Sequence, residues 1–290
     1  MREVILAKHA GFCFGVRRAV ELLEKELQQE DRQGSLHTWG PIIHNDTVVG
    51  EFAARGVSVI GEVSGLGEGD RVVVRAHGIP KDVGEAIAAS GAVVIDATCP
   101  FVKRIHEIVA RESAEGRTIL VVGDPKHPEV QGIVSWADPE RGGVIVLETP
   151  EDARRLDLPA GCPVTVVAQT TFRVNKFQEI VEIVRGKEYD VNVADTVCNA
   201  TGERQREAES LAAGVDAMIV VGDAASSNTR KLYEICSAAC PHTYYVHTPA
   251  DLPDAFPEGV SRVGITAGAS TPQKIIEEVV KYVRSGQEFH

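Results

Sequence analysis

Short, continuous apolar runs alternate with stretches of helical periodicity along most of the chain. The runs include Val72-Val-Val, Val93-Val-Ile, Ile119-Leu-Val-Val, Val144-Ile-Val-Leu, Val164-Thr-Val-Val and Met218-Ile-Val-Val. β-Branched runs of this length read as strands buried on both faces. Between them, spacings such as Ala19, Leu22, Leu23 and Leu27 read as amphipathic helix. The pattern predicts helices over about 16–28, 102–115, 203–213 and 272–284, the last started by Thr271-Pro272. Strands alternating with helices in this way predict the α/β class with mainly parallel sheets.

The pattern occurs three times. An apolar run leads into Cys13, Cys99 and Cys198, and a helical stretch follows each. Each unit then has a strand ending in a polar turn: Gly40-Pro-Ile-Ile-His44-Asn, Gly123-Asp-Pro-Lys-His127-Pro-Glu129 and Gly222-Asp-Ala-Ala-Ser226-Ser227-Asn228. A helix, a second strand and a second polar turn come next: Arg75-Ala-His77-Gly, Gln169-Thr170-Thr171 and Ala267-Gly-Ala-Ser270-Thr271. The period exceeds that of solenoid repeats. The expectation is three pseudo-repeated small α/β domains around a central site: 14–98, 99–196 and 197–285. The third repeat lacks a closing strand, and the N-terminal strand, within 1–13, is expected to complete it.

The chain has 290 residues, enough for two or three small cores. No apolar run reaches the roughly 18 residues needed to cross a bilayer, and the N-terminus has no signal-peptide pattern, so a cytoplasmic protein without membrane partners is expected. The final Gln287-Glu-Phe-His290 fits no element. The net charge of −12 argues against nucleic-acid binding. It also means that an anionic substrate would have to be held by local donors rather than by the overall field. Six widely spaced cysteines without a C-x-x-C pair disfavour a disulfide framework, a zinc ribbon or a thioredoxin motif. Cys236 and Cys240 read as packed small residues, and Cys162 carries no assigned role.

Ligands of open α/β sheets gather at the carboxyl ends of strands, where all nine polar turns fall. Three thiols in equivalent places, each before a helix N-terminus, point to a metal centre. A [4Fe–4S] cluster is normally held by four cysteines, so three leave one iron open to a substrate oxygen. His44, His77, Ser226, Ser227, Asn228, Ser270 and Thr271 are placed to form an anion cradle, with helix capping as the alternative. Glu129 is a natural proton donor, and Thr170 and Thr171 are placed to orient a hydroxyl. Three other readings stay open: a non-redox cluster-dependent hydratase, an iron–sulfur sensor or scaffold, and a zinc protein.

Nine motifs in chain order resemble those of the 4-hydroxy-3-methylbut-2-enyl diphosphate reductases, the last enzymes of the methylerythritol phosphate route to isoprenoids. They are Ala10-Gly-Phe-Cys-Phe-Gly-Val, Gly40-Pro-Ile-Ile-His-Asn, Arg75-Ala-His-Gly, Asp96-Ala-Thr-Cys-Pro, His127-Pro-Glu-Val, Ala168-Gln-Thr-Thr, Cys198-Asn-Ala-Thr, Ser226-Ser-Asn-Thr and Thr266-Ala-Gly-Ala-Ser-Thr-Pro. The resemblance implies a three-lobed α/β oxidoreductase with one [4Fe–4S] cluster on Cys13, Cys99 and Cys198. It places the diphosphate on His44, His77, Ser226, Asn228 and Ser270, with Ser227 beside them. His127, Glu129 and Thr170 would surround the allylic hydroxyl, with Glu129 delivering a proton to it. Reductive loss of that hydroxyl would give isopentenyl and dimethylallyl diphosphate. Reduced ferredoxin or flavodoxin is the implied electron donor, since no flavin or nicotinamide fingerprint is present.

Overall fold

The computed structural model describes residues 2–29, 34–253 and 255–285; the C-terminal Gln287–His290 stretch considered above lies outside them. In chain order the elements are β1 (Glu3–Leu6), α1 (Phe14–Leu27), β2 (Leu36–Trp39), α2 (Asp46–Ala53), β3 (Val57–Ile60), β4 (Arg71–Val74), α3 (Lys81–Ala89), β5 (Val93–Asp96) and α4 (Pro100–Ala114). Then come β6 (Thr118–Val122), α5 (Pro128–Ser135), β7 (Val144–Leu147), α6 (Pro150–Arg155), β8 (Pro163–Ala168), α7 (Val174–Arg185), β9 (Asp190–Val193) and α8 (Asn199–Ala212). The last are β10 (Ala217–Val221), α9 (Ser227–Ala239), β11 (Thr243–Val246), a 3₁₀ turn at Pro249–Asp251, β12 (Arg262–Ala267) and α10 (Gln273–Ser285).

The strands form three four-stranded sheets with orders β3-β2-β4-β5, β7-β6-β8-β9 and β11-β10-β12-β1. Every pairing is parallel. The topologies are equivalent once β1 takes the place held by β5 and β9; it pairs with β12 in the register Glu3↔Arg262 to Leu6↔Ile265. The chain forms two compact units. One comprises residues 1–17, 44–50 and 199–290 and carries the sheet β11-β10-β12-β1; the other comprises 18–43 and 51–198 and carries the other two sheets.

The apolar runs are explained by helices covering both faces of the inner strands. In β6, Leu120 and Val122 face a core with Phe177 and Ile180 of α7. Ile119 and Val121, one residue out of phase, face Ile105 and Val109 of α4. In β10, Ile219 and Val221 pack toward Ile276 and Val279 of α10, while Met218 and Val220 pack against Ala208 of α8 and Leu232 of α9. Fully burying one such side chain contributes about 1.5–3 kcal/mol.

Two expectations are corrected. Val93-Val-Ile is not buried on both faces: β5 is an edge strand, and Val93 and Val94 are exposed. An end position leaves one flank and part of a face without a neighbour. The first and third repeats also have two strands between their polar turns rather than one. The extra strands, β3 and β11, are edge strands whose sequences, Val57-Ser-Val-Ile and Thr243-Tyr-Tyr-Val, carry a weaker apolar signal. No helix among the described residues is long and apolar enough to cross a membrane.

Candidate active site

In each sheet the chain runs from the second strand in the order to the edge, then returns to the third. The crevice between the carboxyl ends of those two strands is the topological switch point, where α/β sheets bind ligands. The polar turns flank these crevices: after β2 and β4, after β6 and β8, and after β10 and β12. At each switch point a glycine ending the first strand lets the facing turn approach closely. A Cβ on Gly123 would stand 3.0 Å from the Cβ of Gln169, and one on Gly40 2.6 Å from a guanidinium nitrogen of Arg75. At Gly222 (φ +150°) it would lie 2.7 Å from Thr271 Oγ1 and 2.8 Å from Thr229 Oγ1. Gly222→Ala is therefore expected to destabilise the chain by roughly 1–3 kcal/mol through strain and overpacking, seen as a lower midpoint in thermal or urea unfolding.

The three cysteines follow the three equivalent edge strands, and their backbones are held alike. The amide of Cys99 donates to Ala76 O at 2.9 Å, that of Cys198 to Thr170 O at 3.0 Å, and that of Cys13 to Ala269 O at 3.1 Å. Each acceptor lies in the second polar turn of its sheet, so the repeat extends to individual hydrogen bonds. Cys99 is the N-cap of α4 with Pro100 at the first helical position, and all three cysteines are partly buried. Two arginines tie down the loops before them. Arg18 of α1 donates to the carbonyls of Thr98 (3.2 Å) and Asp96 (3.3 Å). The buried Arg204 of α8 donates to those of His9 and Gly11, both at 2.7 Å. Cys13 belongs to one compact unit and Cys99 and Cys198 to the other.

In the unit holding Cys99 and Cys198, the structure joins five of the expected residues, His77, His127, Glu129, Thr170 and Cys198. His127 caps α5, its Nδ1 accepting from the Glu129 amide at 3.1 Å. That bond makes Nδ1 the acceptor and leaves the proton of a neutral ring on Nε2. Glu129 is buried in the first turn of α5. Its two carboxyl oxygens accept from the Thr170 amide (2.6 Å) and the Thr170 hydroxyl (2.9 Å). The carbonyl of the same Thr170 anchors Cys198. His77 meets His127 edge-on, ring centroids 5.5 Å apart at 75°. Arg75 braces the His77 turn, its Nε donating to Gly78 O at 3.3 Å. Thr171 is engaged locally, its hydroxyl accepting from the Gln169 amide group at 3.0 Å.

In the other unit, Ser270 Oγ donates to the carbonyl of His44 at 2.9 Å, joining two expected diphosphate residues. Ser226 is the N-cap of α9 and accepts from the Thr229 amide. Ser227 and Asn228 are buried in the first turn of α9 rather than in the preceding loop where they were expected. Both polar atoms of the Asn228 side chain are buried and have no hydrogen-bond partner. Leaving a buried polar group unpaired costs about 1–3 kcal/mol. Thr271 is fully buried and donates to Val221 O, a structural role.

Cys236 and Cys240 are buried packing residues, their sulfurs facing the carbonyls of Ala208 and Asp216 at 3.9 and 3.7 Å. Burial, with Cys240 beside it, pushes the Cys236 thiol up to about 12. The thiolate is the reactive form; under native conditions at neutral pH, iodoacetamide followed by peptide mass spectrometry should leave Cys236 unmodified.

Arg18 and Arg204 carry no motif signal in the sequence; their only mark is position, in the helices that follow Cys13 and Cys198. Arg75 and Gln169 stand within the motifs, which assign them no role of their own.

Three all-parallel sheets, with cysteines at equivalent strand ends and an acid held by the turn that anchors one of them, define a repeat-built α/β enzyme. The LytB protein family model matches residues 4–284, and the chain belongs to that family. Curated relatives 39–44% identical to this chain carry the name 4-hydroxy-3-methylbut-2-enyl diphosphate reductase. The protein of that name from Geobacter sulfurreducens is 44% identical over 287 residues, covering 99% of this chain and 98% of the relative. The one from Aquifex aeolicus is 44% identical, with 96% and 95% covered. A solved structure of (E)-4-hydroxy-3-methyl-but-2-enyl diphosphate reductase, described as the terminal enzyme of the non-mevalonate pathway, shares 43% identity and a TM-score of 0.69, covering 98% of this chain and all of that one. The Plasmodium falciparum E-1-hydroxy-2-methyl-but-2-enyl-4-diphosphate reductase aligns at TM-score 0.89 and 28% identity, covering 98% and 87%.

Proposed function

We propose that this chain reductively removes the allylic hydroxyl of (E)-4-hydroxy-3-methylbut-2-enyl diphosphate. The substrate takes up two electrons and two protons, the C–O bond breaks, and the products are water and isopentenyl or dimethylallyl diphosphate. The observation that carries the proposal is the triple role of Thr170. One residue holds both oxygens of buried Glu129 and fixes the backbone of Cys198, so an acid and a metal-binding thiol share one anchor.

The donor set fits an iron–sulfur group. Cys13, Cys99 and Cys198 stand before helix N-termini, whose partial positive charge of about half a unit favours an anionic group there. These three would hold a [4Fe–4S] cluster with one iron lacking a protein ligand. When bound, the cluster supplies the two electrons and a Lewis-acidic iron.

The chain's own groups do the rest. Glu129 gives a proton to the hydroxyl oxygen as the C–O bond breaks. Thr170 fixes that carboxyl and orients the hydroxyl, and His127 presents its Nε2–H. His44, His77, Ser226, Ser227, Asn228 and Ser270 hold the diphosphate, with the Asn228 amide and the N-terminus of α9 favouring its charge. Electrons arrive from a small carrier of the ferredoxin or flavodoxin kind.

The test is anaerobic purification, iron and sulfide analysis, and turnover of the allylic diphosphate with a low-potential reductant. The expected result is about four irons per chain and reductant-dependent formation of both products. Product formed without reductant, or zinc in place of iron, would overturn the proposal.

A further inference from the structure

His106 lies about two helical turns beyond Cys99 and belongs to no motif identified in the sequence. It is 5% exposed and stacks on Trp136, centroids 5.1 Å apart and planes 13° apart. Trp136 is the C-cap of α5, the helix that His127 and Glu129 begin. Two glycines also lie close to the His106 ring. A Cβ on Gly78 (φ +75°), the residue after His77, would stand 3.1 Å from His106 Cε1. A Cβ on Gly132, in the middle of α5, would stand 3.7 Å from His106 Nε2 and 3.6 Å from Ile79 O. One imidazole thus touches the turn that carries His77 and the helix that carries His127 and Glu129, from a helix begun by Cys99.

We propose that His106 is a positioning residue, a flat wedge that sets how closely His77 approaches His127. The roles of those two histidines rest on the functional reading above; the wedge itself rests on packing. Its shape matters because interiors are close-packed and transmit small displacements. The ring is suited to this place because it stays uncharged: burial, which outweighs the opposing pull of Asp96, holds its pKa down at about 4. A cavity of about 560 Å³ adjoins the ring, lined by Ile79, Pro80, Lys103 and Trp136 among others. Removing the imidazole therefore enlarges an existing space, which free imidazole can enter.

The test uses the full chain with its cluster and two readings: the His77–His127 ring separation in the variant's crystal structure, and kcat and KM for the allylic diphosphate. His106→Ala should shift the ring separation by about 1 Å or more and lower kcat at least tenfold, since a displacement of that size can cost about a hundredfold. KM should change much less, and added imidazole should recover part of kcat. His106→Phe, which keeps a flat ring against Trp136, should retain the wild-type separation and most of the rate. If His106→Ala does not fold, His106→Leu, which fills the space without a plane, is read in the same way. An unchanged ring separation in a folded Ala or Leu variant overturns the proposal, as does a Phe variant no faster than Ala or Leu. The structural reading requires no turnover, so failure of the functional reading is distinguishable from failure of the wedge.

Discussion

Glu129→Gln lowers kcat by a factor of at least about 100, the low end for loss of a general acid, or about 3 kcal/mol of activation free energy. The expectation follows from the hydrogen bonds. Glutamine has nearly the same size, and its carbonyl oxygen can still accept from the Thr170 amide, as Glu129 does at 2.6 Å. The helix and the Cys198 anchor should therefore survive, while the group that gives up a proton is gone. Iron content and KM should stay close to wild type, which distinguishes this variant from one that merely loosens the site. Steady-state kinetics beside iron analysis checks it. A Gln variant with unimpaired turnover would move the proton donor elsewhere and leave Glu129 as a bracket for Thr170.

Cys99→Ser should abolish measurable turnover and lose most of the iron, while circular dichroism stays unchanged. The fold does not need the sulfur: Cys99 is held through its backbone amide to Ala76, and as an N-cap it makes no side-chain capping bond. The serine hydroxyl caps helices well, so local stability should hold or rise. As a metal ligand it is a poor substitute, because the alcohol does not ionise near neutral pH as a thiol at a helix N-terminus does. Cys13→Ser and Cys198→Ser should behave alike, since both amides are anchored in equivalent ways. Full iron content in any of the three would remove that residue from the ligand set.

Much of this was legible in the sequence because the repeat placed like residues at like points. Cys99-Pro100 read as a helix start and is one, and the runs at 119–122 and 218–221 read as buried strands and are buried on both faces. The order of strands within a sheet was not legible, since a parallel run carries no mark of its neighbours. That is why the exposure of Val93 and Val94 was missed: the same residues suit an inner strand or an edge. Edge strands β3 and β11 went unseen because serine, threonine and tyrosine dilute them. In the candidate site, the motif residues stood out by type, whereas Arg18, Arg204 and His106 look like ordinary helix-face residues. Their importance comes from loops distant in sequence, such as Arg204 with Gly11. Thr271 shows the reverse: a motif residue with a structural role.

The pairing of β1 with β12 has a consequence during translation. The segment around Glu3 leaves the ribosome about 260 residues ahead of its partner near Arg262, a delay on the order of ten seconds or more at cellular elongation rates. Throughout that interval an apolar β-forming segment has no mate, which exposes the nascent chain to off-pathway association and makes it a natural client for chaperones. Contacts so remote in sequence also slow folding, so the sheet containing β1 should be the last of the three to form.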